Sequence, residues 1–186
     1  VTISYFKRFR MHYDLRGPIP QHELPDSYRA HAWSDGLLRI HAKVKFYSFR
    51  NELDANVFPC LGDADGCRRL MRDIVGRHGF VPQATWLISY RPKSHRKTVY
   101  CGTIQGIRDS QGVGSIQNVG IVPEHRGHGL GKVLLMLALT GFKSQGIKLA
   151  NLEVTAENRD AFRLYHQFGF RTQRTVYKTV DAVQFA

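Results

Sequence analysis

Disulfides cannot hold this chain together: its 186 residues include 3 cysteines, Cys60, Cys67 and Cys101, an odd number with no CxxC spacing. They read as reduced thiols of a reducing compartment. Long apolar runs are lacking too, since no stretch approaches the ~20 residues of a membrane-spanning helix. A helical membrane protein is therefore not expected. The first residues alternate polar and apolar where a leader would show a basic stretch and an apolar block, so no signal peptide is expected. Together these absences give a cytoplasmic location as the expectation. Metal-ligand spacing is also missing: there are 9 histidines, but no HxxxH or HxH pair stands beside acidic or cysteine ligands. No metal is expected.

Acidic residues are scarce, 15 against 27 basic, for a formal net charge of +12. Such an excess concentrates polyanions such as nucleic acid or a nucleotide cofactor. The charge is spread, however: Arg68, Arg69, Arg72 and Arg77 share one predicted helix, and Lys93, Arg96 and Lys97 share one loop. Without a basic run or a basic amphipathic stripe, nucleic-acid binding is not expected as the main role. The 42% hydrophobic and 23% charged content is that of a globular protein. At this length one domain buries about 70% of the unfolded surface, so no staple is needed.

Alternation over Val1 to Leu15 predicts a half-buried strand, with Ile3, Tyr5, Phe9, Met11 and Tyr13 on one face. A loop rich in Gly and Pro leads to a short strand, Tyr28 to Trp33, and Ser34 is an N-cap for a helix reaching Phe49. After a linker, a second helix is predicted from Asp63 to Val75. Strands follow at Thr85 to Tyr90, Thr98 to Ile107 and Ser115 to Val122. From Arg126 to Gln145, Leu130, Val133, Leu134, Leu137, Ala138 and Phe142 repeat at helical spacing, and Gly146 closes the helix. Lys148 to Thr155 alternates, Asn158 caps a helix to Phe168, and Phe170 to Val180 is a last strand.

The chemistry sits in Asn118 to Lys132, where a strand and Pro123 lead to Arg126-Gly127-His128-Gly129-Leu130-Gly131-Lys132 at the head of the long helix. Three glycines admit a ligand close to the backbone, and unpaired N–H groups at a helix start attract an anion such as a pyrophosphate. A P-loop would need Gly where Arg126 stands and Ser or Thr where Val133 stands, and Gly127, Gly129 and Gly131 give GxGxG instead of the dinucleotide GxGxxG.

Arg126, Gly129 and Gly131 match the acetyl-CoA signature of the GCN5-related N-acetyltransferase (GNAT) family, which this segment resembles. A second block, Leu152-Glu153-Val154, Asn158, Ala161, Leu164-Tyr165 and Gly169-Phe170, resembles the family's next conserved stretch and is similar to the ribosomal-protein N-terminal acetyltransferases. The resemblance implies an α/β fold of the α+β type: a central mixed, mostly antiparallel sheet flanked by helices. The strands at Ser115 to Val122 and Lys148 to Thr155 would splay to admit acetyl-CoA. It further implies a single domain over 1–186, in which 1–97 shapes the acceptor site and 98–180 binds acetyl-CoA and carries the chemistry. Val119, Ile121 and Val122 would meet the acetyl and pantetheine part, Arg126 to Lys132 the pyrophosphate, and Asn158 the pantetheine arm. Tyr165 would be the acid and Glu153 the base.

A base matters most for a lysine acceptor, whose amine at pKa ~10.4 costs about 4 kcal/mol to neutralise at pH 7.5, against under ~1 for an α-amine. Glu52 and Asp54 could face the amine, though a solvated turn is the plainer reading of both. The expected partner is a primary amine, either on a small molecule or on a protein. A homodimer stays open. The competing reading is a non-catalytic module of the same fold that binds acyl-CoA or nucleic acid.

Overall fold

The computed structural model describes residues 3–94 and 97–181. Val1 and Arg96, placed above in a strand and a loop, lie outside the described residues. Among the described residues seven strands form one sheet: β1 Ile3–Asp14, β2 Tyr28–Ala32, β3 Trp86–Tyr90, β4 Val99–Arg108, β5 Gly114–Ile121, β6 Leu149–Thr155 and β7 Arg171–Asp181. Their spatial order is β2-β3-β4-β5-β6-β1-β7. All pairings are antiparallel except β5 with β6. Among the described residues five α-helices flank the sheet: α1 Leu38–Phe49, α2 Leu53–Val57, α3 Ala64–Val75, α4 Leu130–Ser144 and α5 Arg159–Phe168.

The two faces carry separate cores. On one, α4 presents Leu130, Val133, Leu134, Leu135, Ala138, Leu139 and Phe142 to Ile88, Cys101, Ile104, Ile116 and Leu152. Each of the larger side chains contributes about 1.5–3 kcal/mol by leaving water. On the other face, Ala42 and Phe49 of α1 meet Cys67, Met71 and Ile74 of α3. All three cysteines are free thiols.

Most of the expected elements are present, with four corrections. α3 ends at Val75, so Arg77, grouped above with the arginines of that helix, lies beyond it. Ser34 makes no side-chain cap bond and precedes a 3-10 turn, so α1 starts only at Leu38. The linker before α3 contains the short helix α2. The long helix begins at Leu130, not Arg126, because Gly127 and Gly129 take φ of +79° and +75° and cannot continue a right-handed helix. Asp63 and Asn158 do act as caps, accepting from the N–H of Gly66 and of Ala161.

The parallel pair positions the site. β5 and β6 share only Gly114↔Ala150 and Ser115↔Asn151 before they part. Within β5 the register against β4 slips between Thr103 and Gln105, leaving Asn118 and Val119 without partners of their own. Asn118 there takes φ of +43°, a left-handed conformation that Asn tolerates better than most residues. This bulge turns the rest of β5 away from β6.

Candidate active site

The opening between β5 and β6 leads to two cavities. The first, of about 690 Å³, runs past Val119, Gly120 and Ile121 to Gly127, Gly129, Leu130, Gly131 and Lys132. The second, of about 460 Å³, lies on the α1 and α3 side, among Arg8, Arg10, Phe58, Gln117, Asn118 and Glu153.

At the Gly127 to Lys132 end of the first cavity the glycine loop leaves backbone amides unpaired. Arg126 N–H donates to the Pro123 carbonyl and Lys132 N–H to that of Gly129. Among the described residues, the N–H groups of Gly127, His128, Gly129, Leu130 and Gly131 have no acceptor. A Cβ added at Gly127 or Gly129 would meet nothing within 4 Å, so the space above those amides is open. Five unpaired amides at a helix start, with Lys132 beside them, suit a phosphate.

The Arg126 side chain lines the same cavity and is held in place by three contacts. Its Nε donates to the Ile121 carbonyl at 3.1 Å, one Nη to Glu52 at 2.7 Å and the other to the Ser48 carbonyl at 3.0 Å. It therefore ties the loop to α1, and it donates to the Ile121 carbonyl that is expected to meet pantetheine. Val122 and His128 do not line the cavity. Val122 N–H donates to Cys101, and the His128 ring N–H is turned back on the carbonyls of His125 and Arg126.

Tyr165 and Asn158 line both cavities. Tyr165 is 8% exposed, and its hydroxyl makes no hydrogen bond among the described residues. Burial, then the neighbouring Asp54 carboxylate, pushes its pKa up, so the phenol keeps its proton. Asn158 caps α5 with its oxygen and donates its Nδ2 to Asp54 Oδ2 at 3.2 Å. Glu153 is held by arginines of β1: Oε1 accepts from Arg10 Nε at 3.0 Å and Arg10 Nη2 at 2.6 Å, while Oε2 lies 3.6 Å from Arg8 Nε.

Sequence reasoning underrated Asp54, which a solvated turn was taken to explain. Burial, reinforced by Glu52, raises its pKa against the opposing influence of Arg8 and Asn158. It also missed Lys45, fully buried with Nζ donating to Gln105 Oε1 at 2.6 Å and Asn118 Oδ1 at 2.8 Å. One signal was available: a lysine three residues after Ala42 and four before Phe49, on the apolar face of α1.

Residues 62–170 match the model of the acetyltransferase (GNAT) family. The chain belongs to this family. Mycothiol acetyltransferase of Streptomyces avermitilis is 35% identical over 75 residues, covering 39% of this chain and 24% of that protein. The chain thus spans about a quarter of the length of this curated relative. Among solved structures, a GCN5-related N-acetyltransferase from Sphaerobacter thermophilus superposes with a TM-score of 0.70 at 22% identity, over 94% of this chain and 50% of that one. The ribosomal-protein-S18-alanine N-acetyltransferase of Escherichia coli gives 0.59 at 12% identity, over 86% of this chain and 98% of that one. These likenesses show the same fold. Among the described residues no helix is long and apolar enough to cross a membrane. Neither the fold nor the relatives support a homodimer.

Proposed function

We propose that this chain transfers the acetyl group of acetyl-CoA to a primary amine by direct attack within a ternary complex. The observation that carries this reading is the parting of β5 and β6 after two residue pairs, with the amide cradle at one end of the gap and Tyr165 at the other. Acetyl-CoA, the acetyl donor of the family, fits that path. Its pyrophosphate would sit on the free N–H groups from Gly127 to Gly131 with Lys132, and its pantetheine arm along Val119 and Gly120. The acyl end would reach Phe49, Asn158 and Tyr165. The amine would arrive from the cavity between Arg8 and Phe58.

In this reading Tyr165 gives its proton to the thiolate as the C–S bond breaks, the role for which a phenol kept neutral by burial is suited. The Glu153 carboxylate is ion-paired on both oxygens and serves to fix Arg8 and Arg10 in the acceptor wall. The acceptor itself is a small-molecule amine, a lysine or a protein N-terminus, and the relatives' name adds mycothiol-type substrates to those worth assaying.

Thiol release from acetyl-CoA, followed across a panel of these amines, tests the proposal. Turnover with at least one acceptor class is expected. Tight acetyl-CoA binding with no turnover for any amine would make the chain a binding module.

A further inference from the structure

Acetyl transfer has to take place where the two cavities meet, and the wall common to them is short. Phe49, Asp54, Val119, Asn158, Ala161 and Tyr165 line both, and of these only Asp54 and Tyr165 can ionise. Glu153 stands on the acceptor side alone. We infer that Asp54 is the general base that takes the proton from the acceptor ammonium, opposite Tyr165 as the acid. The inference rests on the acetyl-transfer reading and adds to it the residue that makes the amine nucleophilic.

Geometry separates the two carboxylates. Asp54 Oδ2 accepts from Asn158 Nδ2 at 3.2 Å, and Asn158 is itself fixed as the cap of α5. Asp54 Oδ1 makes no hydrogen bond among the described residues, so one oxygen of the carboxylate is anchored and the other is free to accept. Glu153 has Arg10 on one oxygen and Arg8 on the other. Asp54 is half-buried beside Glu52, with Arg8 of β1 and Asn158 and Tyr165 of the α5 segment around it. Arg10, Arg77 and Glu153 stand further along the same wall. Burial and Glu52 outweigh Arg8 and Asn158, so its pKa is raised, which favours proton uptake.

The protons balance as follows. The Asp54 carboxylate takes H⁺ from R–NH₃⁺, leaving R–NH₂, whose lone pair forms the C–N bond at the thioester carbonyl. The C–S bond breaks, and the thiolate takes the Tyr165 proton to leave as CoA-SH. The new amide nitrogen gives up its extra proton to the tyrosinate, and the Asp54 carboxylic acid returns its own to solvent. The net change is R–NH₃⁺ and acetyl-CoA to amide, CoA-SH and H⁺.

The test compares wild type with Asp54→Asn, which keeps an oxygen for Asn158 but cannot take a proton, and with Asp54→Glu. Two acceptors are used, the best alkyl amine of the panel and an aryl amine or hydrazide that is already neutral at pH 7. Thermal melts and calorimetry with acetyl-CoA check that fold and donor binding persist. With the alkyl amine, Asp54→Asn should lose about 10²-fold in kcat/KM at pH 7 and recover as pH approaches the amine's own pKa. With the neutral amine it should stay within about 3-fold of wild type, and Asp54→Glu should keep part of the alkyl-amine rate. Equal losses with both amines at every pH would make Asp54 a positioning residue and overturn the inference. Unchanged rates and pH profile in an active enzyme would overturn it alone, whereas a wild type inert to every amine would overturn acetyl transfer itself.

Discussion

Lys45 Nζ donates to Asn118 Oδ1 across 2.8 Å, so a buried ammonium group on α1 holds the one residue of β5 whose φ, +43°, sets the bulge. The cleft between β5 and β6 thus depends on a side chain 73 residues upstream. Gln105 shares the same lysine, which ties the bulge of β5 to the neighbouring strand β4.

This lysine should leave a mark on stability against pH. Burial lowers its pKa from 10.5 to about 7, whereas the unfolded chain keeps it protonated to about 10.4. Below pH 7 both states are protonated and the burial cost is fully present. Above it the unfolded state binds the extra proton, so stability climbs with pH. Cys67 and Cys101, pushed up to about 11 and about 12, oppose this once free thiols ionise near ~8.5. Urea unfolding should therefore show stability rising from pH 7 to 8.5. Lys45→Met should flatten that rise and, by freeing Asn118, weaken acetyl-CoA binding. A Lys45→Met protein with the wild-type slope would show that another group titrates.

The glycine loop separates two kinds of glycine. At Gly129 an added Cβ meets open space but sits at φ +75°, a strain of roughly 1–2 kcal/mol for most L-residues. At Gly131 it would meet Leu164 Cδ2 at 3.0 Å, the flexible tip of a side chain. Gly129→Asp should thus remain folded and lose acetyl-CoA binding, since it places a carboxylate where the phosphates belong. Gly131→Ala should bind almost normally with a slightly lower melting temperature. Calorimetry beside melts checks both. Normal binding by folded Gly129→Asp would remove the cradle from the cofactor site.

How far the sequence could be read divides along contact range. The Arg126 to Lys132 loop and the Asn158 to Phe168 helix were legible because a turn, a cap and a helical period are local patterns. That the strands around them part was legible only through the family resemblance. What could not be seen is long-range pairing. β1 inserts between β6 and β7, so Arg10 meets Glu153 across 143 positions. The N-terminal strand is therefore part of the wall of the second cavity, whereas composition alone shows only alternating polarity. The tether of Arg126 is hidden for a similar reason: its side chain is held by Ser48 and Glu52, which no spacing near it announces.

The Glu153 cluster makes a structural prediction where a catalytic one was expected. Arg8 is 6% exposed, and its Nε has no hydrogen-bond partner, so the Glu153 carboxylate 3.6 Å away contributes to balancing its charge, together with Asp54. Glu153→Gln removes that charge and should lower stability by about 1–3 kcal/mol. Turnover at saturating amine should fall less than about 10-fold, because the reacting proton goes elsewhere. Melts and kcat measured together check this. A large loss of kcat at unchanged stability would return the base role to Glu153.

Tyr165 offers the sharpest separation of chemistry from packing. Its ring packs against Phe170 with centroids 6.1 Å apart, and Tyr165→Phe keeps that contact. The hydroxyl makes no hydrogen bond among the described residues, so its removal leaves no buried partner unsatisfied and should shift the melting temperature little. Acetyl-CoA affinity should hold as well, because a proton given only as the C–S bond breaks contributes nothing to the ground state. The rate should nevertheless fall about 10²-fold, the scale for loss of a positioned general acid. Restoring a better leaving group provides the control: with an activated aryl thioester, whose thiolate needs no proton, Tyr165→Phe should approach the wild-type rate. Full turnover of Tyr165→Phe with acetyl-CoA would reduce the residue to packing, and an equal loss with both thioesters would mean that the phenol orients the acyl group instead of protonating the thiolate.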